Sequence, residues 1–191
     1  MISTLQKIVL IGASTGGPGQ IERIIQSLPI LNNTAIIIAQ HMSIDFIPSF
    51  TKRLQTLSLN SVNMVDNSTL IQSTNIYICH GITSVRKESD GFRFNVESSK
   101  QYKYNPDINT VFNSFVPFIE DVEILAVILT GIGDDGINGC AELALRGVRT
   151  ITQDEKSSIV DGMPSRARSC VNNIEISDIA EIKEKIRNFC S

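Results

Sequence analysis

Residues 7–19 read Lys7-Ile8-Val9-Leu10-Ile11-Gly12-Ala13-Ser14-Thr15-Gly16-Gly17-Pro18-Gly19. The aliphatic, β-branched run over 7–11 predicts a strand. The glycine-rich stretch 12–19 predicts a turn. Residues 20–27 then predict a helix, because Ile21, Ile24, Ile25 and Leu28 recur on one helical face. Strand, glycine turn and helix in that order are the opening unit of an α/β fold.

The same alternation continues outward. Residues 34–39 are isoleucines and alanines after one threonine, a strand buried on both faces. Residues 43–54 predict a helix, with Phe46, Phe50 and Leu54 four apart. Short strands are expected at 61–65 and 76–79. Residues 84–87 and 92–96 flank Ser89-Asp90-Gly91, a hairpin turn. A helix over 108–116 should stop near Pro117. A strand over 124–129 leads into a second glycine turn, 131–136, and a helix over 137–146 with Gly147 as its cap. A strand over 148–152 follows. A helix over 162–169 tolerates Pro164 in its first turn. The last helix spans 177–189, with Ser177 as N-cap. The pattern implies an α/β fold: a doubly wound, mostly parallel sheet flanked by helices, with an antiparallel β-hairpin addition. No Pro/Ser-rich linker divides the chain, so residues 1–191 are expected to form one domain.

Composition narrows the function. The chain has 191 residues, 42% of them hydrophobic, enough for a real core. Its net charge of −3 argues against a nucleic-acid partner, which favours a basic face. The apolar runs at 35–39 and 124–129 fall far short of the roughly 20 residues that span a bilayer. The N-terminus shows no basic region or cleavage site. A cytoplasmic protein with no direct membrane insertion is expected. The four cysteines have no C-x-x-C spacing, and there are two histidines. That set supplies no zinc site. Neither metal nor cofactor is expected, and the thiols read as reduced and buried or idle.

In open α/β sheets, sites lie beyond the carboxyl ends of the strands. After the first strand stands Gly12-Ala13-Ser14-Thr15-Gly16, a G-x-S-x-G pattern. After the second stands Gln40-His41-Met42. After the strand at 124–129 stands Thr130-Gly131-Ile132-Gly133-Asp134-Asp135-Gly136. Serine needs a base to become a nucleophile. Imidazole suits the task, and a carboxylate behind it fixes the tautomer and stabilises the imidazolium. Backbone N–H groups in glycine turns can stabilise an oxyanion.

Each piece also has a plainer reading. G-x-S-x-G alone is equally a nucleotide cradle. A histidine at a strand end is commonly structural. Aspartate in a glycine turn serves turn geometry. His80 competes with His41, since it follows the short strand at 76–79, but the longer strand before His41 holds a side chain more firmly. Spacing leaves Asp134 and Asp135 equal.

Together these segments resemble the catalytic domain of the chemotaxis protein-glutamate methylesterases, the CheB family. The likeness runs from Ile8 to about Val171. It rests on Ile11-Gly12-Ala13-Ser14-Thr15-Gly16-Gly17-Pro18, Gln40-His41-Met42, Leu129-Thr130-Gly131-Ile132-Gly133-Asp134-Asp135-Gly136, and Gln153-Asp154-Glu155 with Val160-Asp161-Gly162-Met163-Pro164. The resemblance implies Ser14 as nucleophile, His41 as base and Asp135 as acid, with the backbone of Thr15 and Ile132 beside the oxyanion. It implies cleavage of γ-glutamyl methyl esters on the cytoplasmic helices of methyl-accepting chemotaxis receptors, and deamidation of receptor glutamine. Some positions depart from the family's pattern. Ile132 replaces a methionine, Ser43 a proline, and His80 a proline. Asn105 and Asn109 fall near Pro106 where arginine and aspartate are common. Such enzymes usually carry an N-terminal receiver domain, and Ser14 lies too near Met1 for one. The chain then reads as an excised fragment or as an enzyme outside that control, and a start at Met1 favours the second.

Two other functions fit part of the pattern. A nucleotide-binding oxidoreductase would use the Gly12–Gly19 loop for a pyrophosphate. Pro18 lacks an N–H, however, and no acid ends the second strand to hold a ribose. An inactive receptor-binding module would have no need of the Ser/His/Asp set.

Overall fold

The isoleucine runs lie at the centre of the sheet, where both faces are covered. The computed structural model describes residues 5–97 and 103–191. In chain order the elements are β1 (Lys7–Ala13), α1 (Gly17–Ser27), β2 (Thr34–Gln40), α2 (Ile47–Leu57), β3 (Ser61–Met64), β4 (Asn75–Ile78), β5 (Ile82–Glu88), β6 (Gly91–Glu97), α3 (Ile108–Ser114), a 3₁₀ turn (Val116–Phe118), β7 (Glu123–Ile128), α4 (Ile137–Leu145), β8 (Arg149–Gln153), α5 (Gly162–Cys170), β9 (Glu175–Ser177) and α6 (Ile179–Phe189). Seven strands form one sheet in the order β3-β4-β2-β1-β7-β8-β9. Every pairing within it is parallel. Strands β5 and β6 make the separate antiparallel hairpin. The doubly wound architecture matches the sequence reading.

Side-chain alternation along β1 sorts the core into two layers. Ile8 and Leu10 pack with Phe112 of α3, Cys140 of α4, Ala167 of α5 and Phe94 of the hairpin. Val9 and Ile11 face the other way, onto Ile21 and Ile24 of α1, Leu54 of α2 and Ile182 of α6.

Several boundaries differ from the sequence reading for local reasons. Helix α1 starts at Gly17 rather than residue 20, because Pro18 fits a first helical turn. Helix α2 starts at Ile47, with Pro48 in its first turn, and runs to Leu57. Residues 43–46 form a turn closed by the Phe46 N–H to the Ser43 carbonyl at 2.9 Å. The strand β9 has three residues, too short to show a period. Ser177 therefore ends β9 instead of capping α6. Asp178 is the cap, its carboxylate accepting from the Glu181 N–H at 2.8 Å.

The edge strand β9 is tied to β8 by a two-pronged ion pair. Arg149 Nε and Nη2 reach the two Glu175 carboxylate oxygens at 2.6 and 3.0 Å. Lys185 Nζ lies 3.2 Å from the same carboxylate. The hydrogen bond from Arg149 is the main cause that holds Glu175 down at about 2, below its ordinary 4.5. The depressed value means that Glu175 stabilises the fold above about pH 4.5, and that this contribution is lost as pH falls toward 2. The pair is partly exposed, so the effect is small. Thermal melts of Glu175→Gln should lose less stability than the parent across that window. Parallel curves would remove the pair from the account of acid stability.

Candidate active site

Strand register brings the candidate residues to one level. Ala13 is opposite Gln40, and Gly12 is opposite both Ala39 and Ile128. Ser14, His41 and the loop after β7 therefore leave the sheet side by side. A Cβ on Gly12 would lie 2.8 Å from Ile108 Cγ2, so this glycine lets the start of α3 approach the strand.

Ser14 is held by its backbone. Its N–H donates to the Thr130 carbonyl at 3.0 Å, and its carbonyl accepts from the Gly17 N–H at 2.8 Å. Gln40 Nε2 donates to the same carbonyl at 2.9 Å and to the His41 carbonyl at 2.9 Å. Gln40 thus couples the serine turn to the histidine turn. Across the cleft, a Cβ on Gly131 would lie 2.6 Å from Ser14 Cβ. The Ser14 hydroxyl makes no hydrogen bond among the described residues, and it faces an open cleft of about 410 Å³ with His41, Met42, Tyr104, Ile132 and Gly133.

His41 Nε2 lies 2.6 Å from Asp135 Oδ2. Asp135 is 1% exposed. Three donors satisfy its carboxylate: Oδ2 also accepts from the Ile108 N–H at 2.8 Å, and Oδ1 accepts from the Asn109 N–H at 3.0 Å. A buried charge needs such partners. The unsatisfied N–H groups of the first turn of α3 supply two of them. Asp134, which spacing could not separate from Asp135, points to solvent. His80 is bonded through Nε2 to the Val65 carbonyl at 2.9 Å and is not among the residues that line this cleft. The backbone N–H groups of Thr15 and Ile132 donate to no protein group among the described residues.

The sequence reading missed several supporting residues. Gln153 Oε1 accepts from the Thr130 N–H at 3.0 Å, and its amide donates to the Ser157 carbonyl at 2.7 Å. Thr130 Oγ1 donates to the Thr15 carbonyl at 3.0 Å and accepts from the Val160 N–H at 2.8 Å. A signal existed for Gln40, a polar residue ending the isoleucine and alanine run of β2, and it is buried; Gln153, also buried, ends a strand that is itself mostly polar and gave no such contrast. Asn105 and Asn109 also have structural partners. Asn105 Nδ2 donates to the Met42 carbonyl at 2.7 Å, and Asn109 Oδ1 accepts from the Gly139 N–H at 3.0 Å.

In the first turn Gly19 stands in open space, but Gly16 and Gly17 are filled from within the protein. A Cβ on Gly16 would meet Ile159 at 2.5 Å, and one on Gly17 would meet Gln40 Oε1 at 2.0 Å. A pyrophosphate cradle needs that space open, which weakens the oxidoreductase alternative. Among the described residues, no three His, Cys, Asp or Glu side chains converge as metal ligands, and no helix is long and apolar enough to cross a membrane.

The cysteines divide sharply. Burial pushes the thiols of Cys79, Cys140 and Cys190 up to about 12, while Cys170 is exposed. Thiolate is the reactive form. Iodoacetamide should therefore label native protein at Cys170 alone and all four thiols after denaturation, read by peptide mass mapping. Native labelling of Cys79 would contradict the packing.

A parallel α/β sheet whose strand ends place a free hydroxyl in one cleft with an imidazole seated on a buried carboxylate has the parts of a serine-hydrolase site. Comparison with known proteins gives the family. The CheB methylesterase family model matches residues 9–186, and the chain belongs to that family. Protein-glutamate methylesterase/protein-glutamine glutaminase 3 of Rhodospirillum rubrum is 36% identical over 160 residues, 82% of this chain and 43% of the relative. Protein-glutamate methylesterase/protein-glutamine glutaminase 4 of Hahella chejuensis is 32% identical over 183 residues, 94% of this chain and 47% of the relative. The chain thus spans about half the length of the curated relatives it matches. The crystal structure of the Thermotoga maritima CheB methylesterase catalytic domain superposes with a TM-score of 0.84 at 27% identity, covering 96% of this chain and 98% of that one.

Proposed function

We propose that this chain is a serine hydrolase of the cytoplasm that removes γ-glutamyl methyl esters from the cytoplasmic helices of methyl-accepting chemotaxis receptors, and deamidates glutamines there by the same route. The observation that carries the proposal is the bond from His41 to the buried Asp135 in the cleft that holds Ser14.

Because Asp135 occupies Nε2, the Nε2–H tautomer is favoured and Nδ1 is left as the base. Ser14 Oγ attacks the ester carbonyl, and its proton passes to His41 Nδ1. Asp135 stabilises the imidazolium. The N–H groups of Thr15 and Ile132 receive the oxyanion. Ile132 acts through its backbone, so the absence of methionine there costs little. Methanol leaves with the proton from His41, giving an acyl-Ser14. A water deprotonated by His41 then releases glutamate and free serine. With glutamine as substrate, ammonia leaves in place of methanol.

The experiment is methanol release from methylated receptor, with mass mapping of receptor peptides. Glutamyl product at the methylated positions, dependent on Ser14, supports the proposal. Fluorophosphonate labelling separates it from an inactive binding module, in which Ser14 would stay unlabelled.

A further inference from the structure

Tyr104 lies flat on the His41 ring, with centroids 4.7 Å apart and planes within 2° of parallel. The backbone carries it there. The Asn105 carbonyl accepts from the Met42 N–H at 2.9 Å, and Asn105 Nδ2 donates to the Met42 carbonyl at 2.7 Å. Met42 is thereby clamped at both polar groups, and the residue before Asn105 falls over the residue before Met42. The Asn105 Oδ1 accepts from the Gly81 N–H, which ties this clamp to the loop after β4.

Asp135 holds the imidazole at one atom. A single hydrogen bond leaves the ring free to tip about that contact, and tipping would swing Nδ1 away from Ser14. A flat aromatic neighbour opposes the tipping, and offset rings at this spacing attract. The attraction strengthens once the imidazole carries a proton, because the positive ring then lies over a π face.

We infer that Tyr104 is a positioning residue for His41: its ring face, not its hydroxyl, holds the imidazole plane on line with Ser14. The inference rests on the proposed Ser14–His41–Asp135 chemistry. Lys103 Nζ sits 4.8 Å from the Tyr104 centroid, and Asp107, Asp134 and Arg166 line the neighbouring cleft with it. Charge around the ring is therefore mixed, and the informative change is the aromatic face alone.

The test compares Tyr104→Phe, Tyr104→Leu and Tyr104→Gln in the full chain. Three quantities are read: the second-order rate of fluorophosphonate labelling at Ser14, and kcat and KM for methanol release from receptor. Phe should stay within roughly 2-fold of the parent. Leu and Gln should lose on the order of 10-fold in kcat and in labelling rate, with KM nearly unchanged, because misorientation acts on the chemical step. Either non-aromatic variant suffices should the other fail to fold. Labelling by Leu or Gln at the parent's rate overturns the inference. So does a loss in Phe equal to that in Leu, and so does a rise in KM at constant kcat, which would make Tyr104 a wall of the substrate cleft. A folded parent that fails to label at all sinks the triad chemistry itself, a different failure.

Discussion

Ser14→Ala should release methanol from methylated receptor at a rate about 10⁴–10⁶-fold below that of the parent, with an unchanged melting curve. The two halves of this expectation have separate causes. Every hydrogen bond that holds residue 14 uses its backbone: the N–H to Thr130, and the carbonyl to Gly17 and Gln40. The hydroxyl makes none among the described residues, so its removal leaves the turn in place. What disappears is the proposed nucleophile. The remaining rate would come from bound water beside the free N–H groups of Thr15 and Ile132. Methanol release at the parent's rate would exclude the proposed mechanism, because among the described residues no other hydroxyl or thiol lines the cleft with His41 except the exposed Ser43 and the Tyr104 phenol.

Asp135→Asn should lower kcat by about 10⁴ and also cost stability. The carboxylate accepts three hydrogen bonds, from His41 and from the Ile108 and Asn109 N–H groups. Asparagine has one accepting oxygen and one donating amide. With the amide toward Asn109, two donors face each other, and His41 keeps its contact but loses the charge that stabilises imidazolium. With the amide toward His41, the imidazole is driven to the other tautomer and Nδ1 carries a proton when it should accept one. Both orientations would disable His41 as the proposed base. Each leaves at least one buried N–H unpaired, worth about 1–3 kcal/mol of stability. Measurement of kcat and of the melting temperature checks both parts. Asp134→Asn is the control: the side chain is exposed, so activity should stay near that of the parent. A large loss in Asp134→Asn with little in Asp135→Asn would reverse the assignment.

Much of the fold is legible in local pattern. The isoleucine run of β2 reads as a doubly covered strand and is one. The hairpin turn at Ser89-Asp90-Gly91 reads correctly because Gly91 takes a positive φ of 136°. β9 escaped notice because three residues carry no period. The start of α2 was misplaced because Phe46 continues the apolar spacing of Phe50 and Leu54 although it lies outside the helix, 64% exposed. Tyr104 was invisible for another reason. Its place over His41 depends on the Asn105–Met42 clamp, a contact 63 residues apart in the chain.

Alone, the order of residues determined the layered α/β plan and the three turns where chemistry could collect. Aliphatic periodicity and glycine freedom act over a few neighbours and can be read from them. Family likeness then singled out Asp135 from Asp134. Only the tertiary structure decided what meets what: the parallel register that levels Ser14 with His41, the two α3 N–H groups that donate to the buried Asp135 carboxyl group, and the aromatic face over the imidazole. Those depend on pairings between distant segments, which packing of the whole sheet selects.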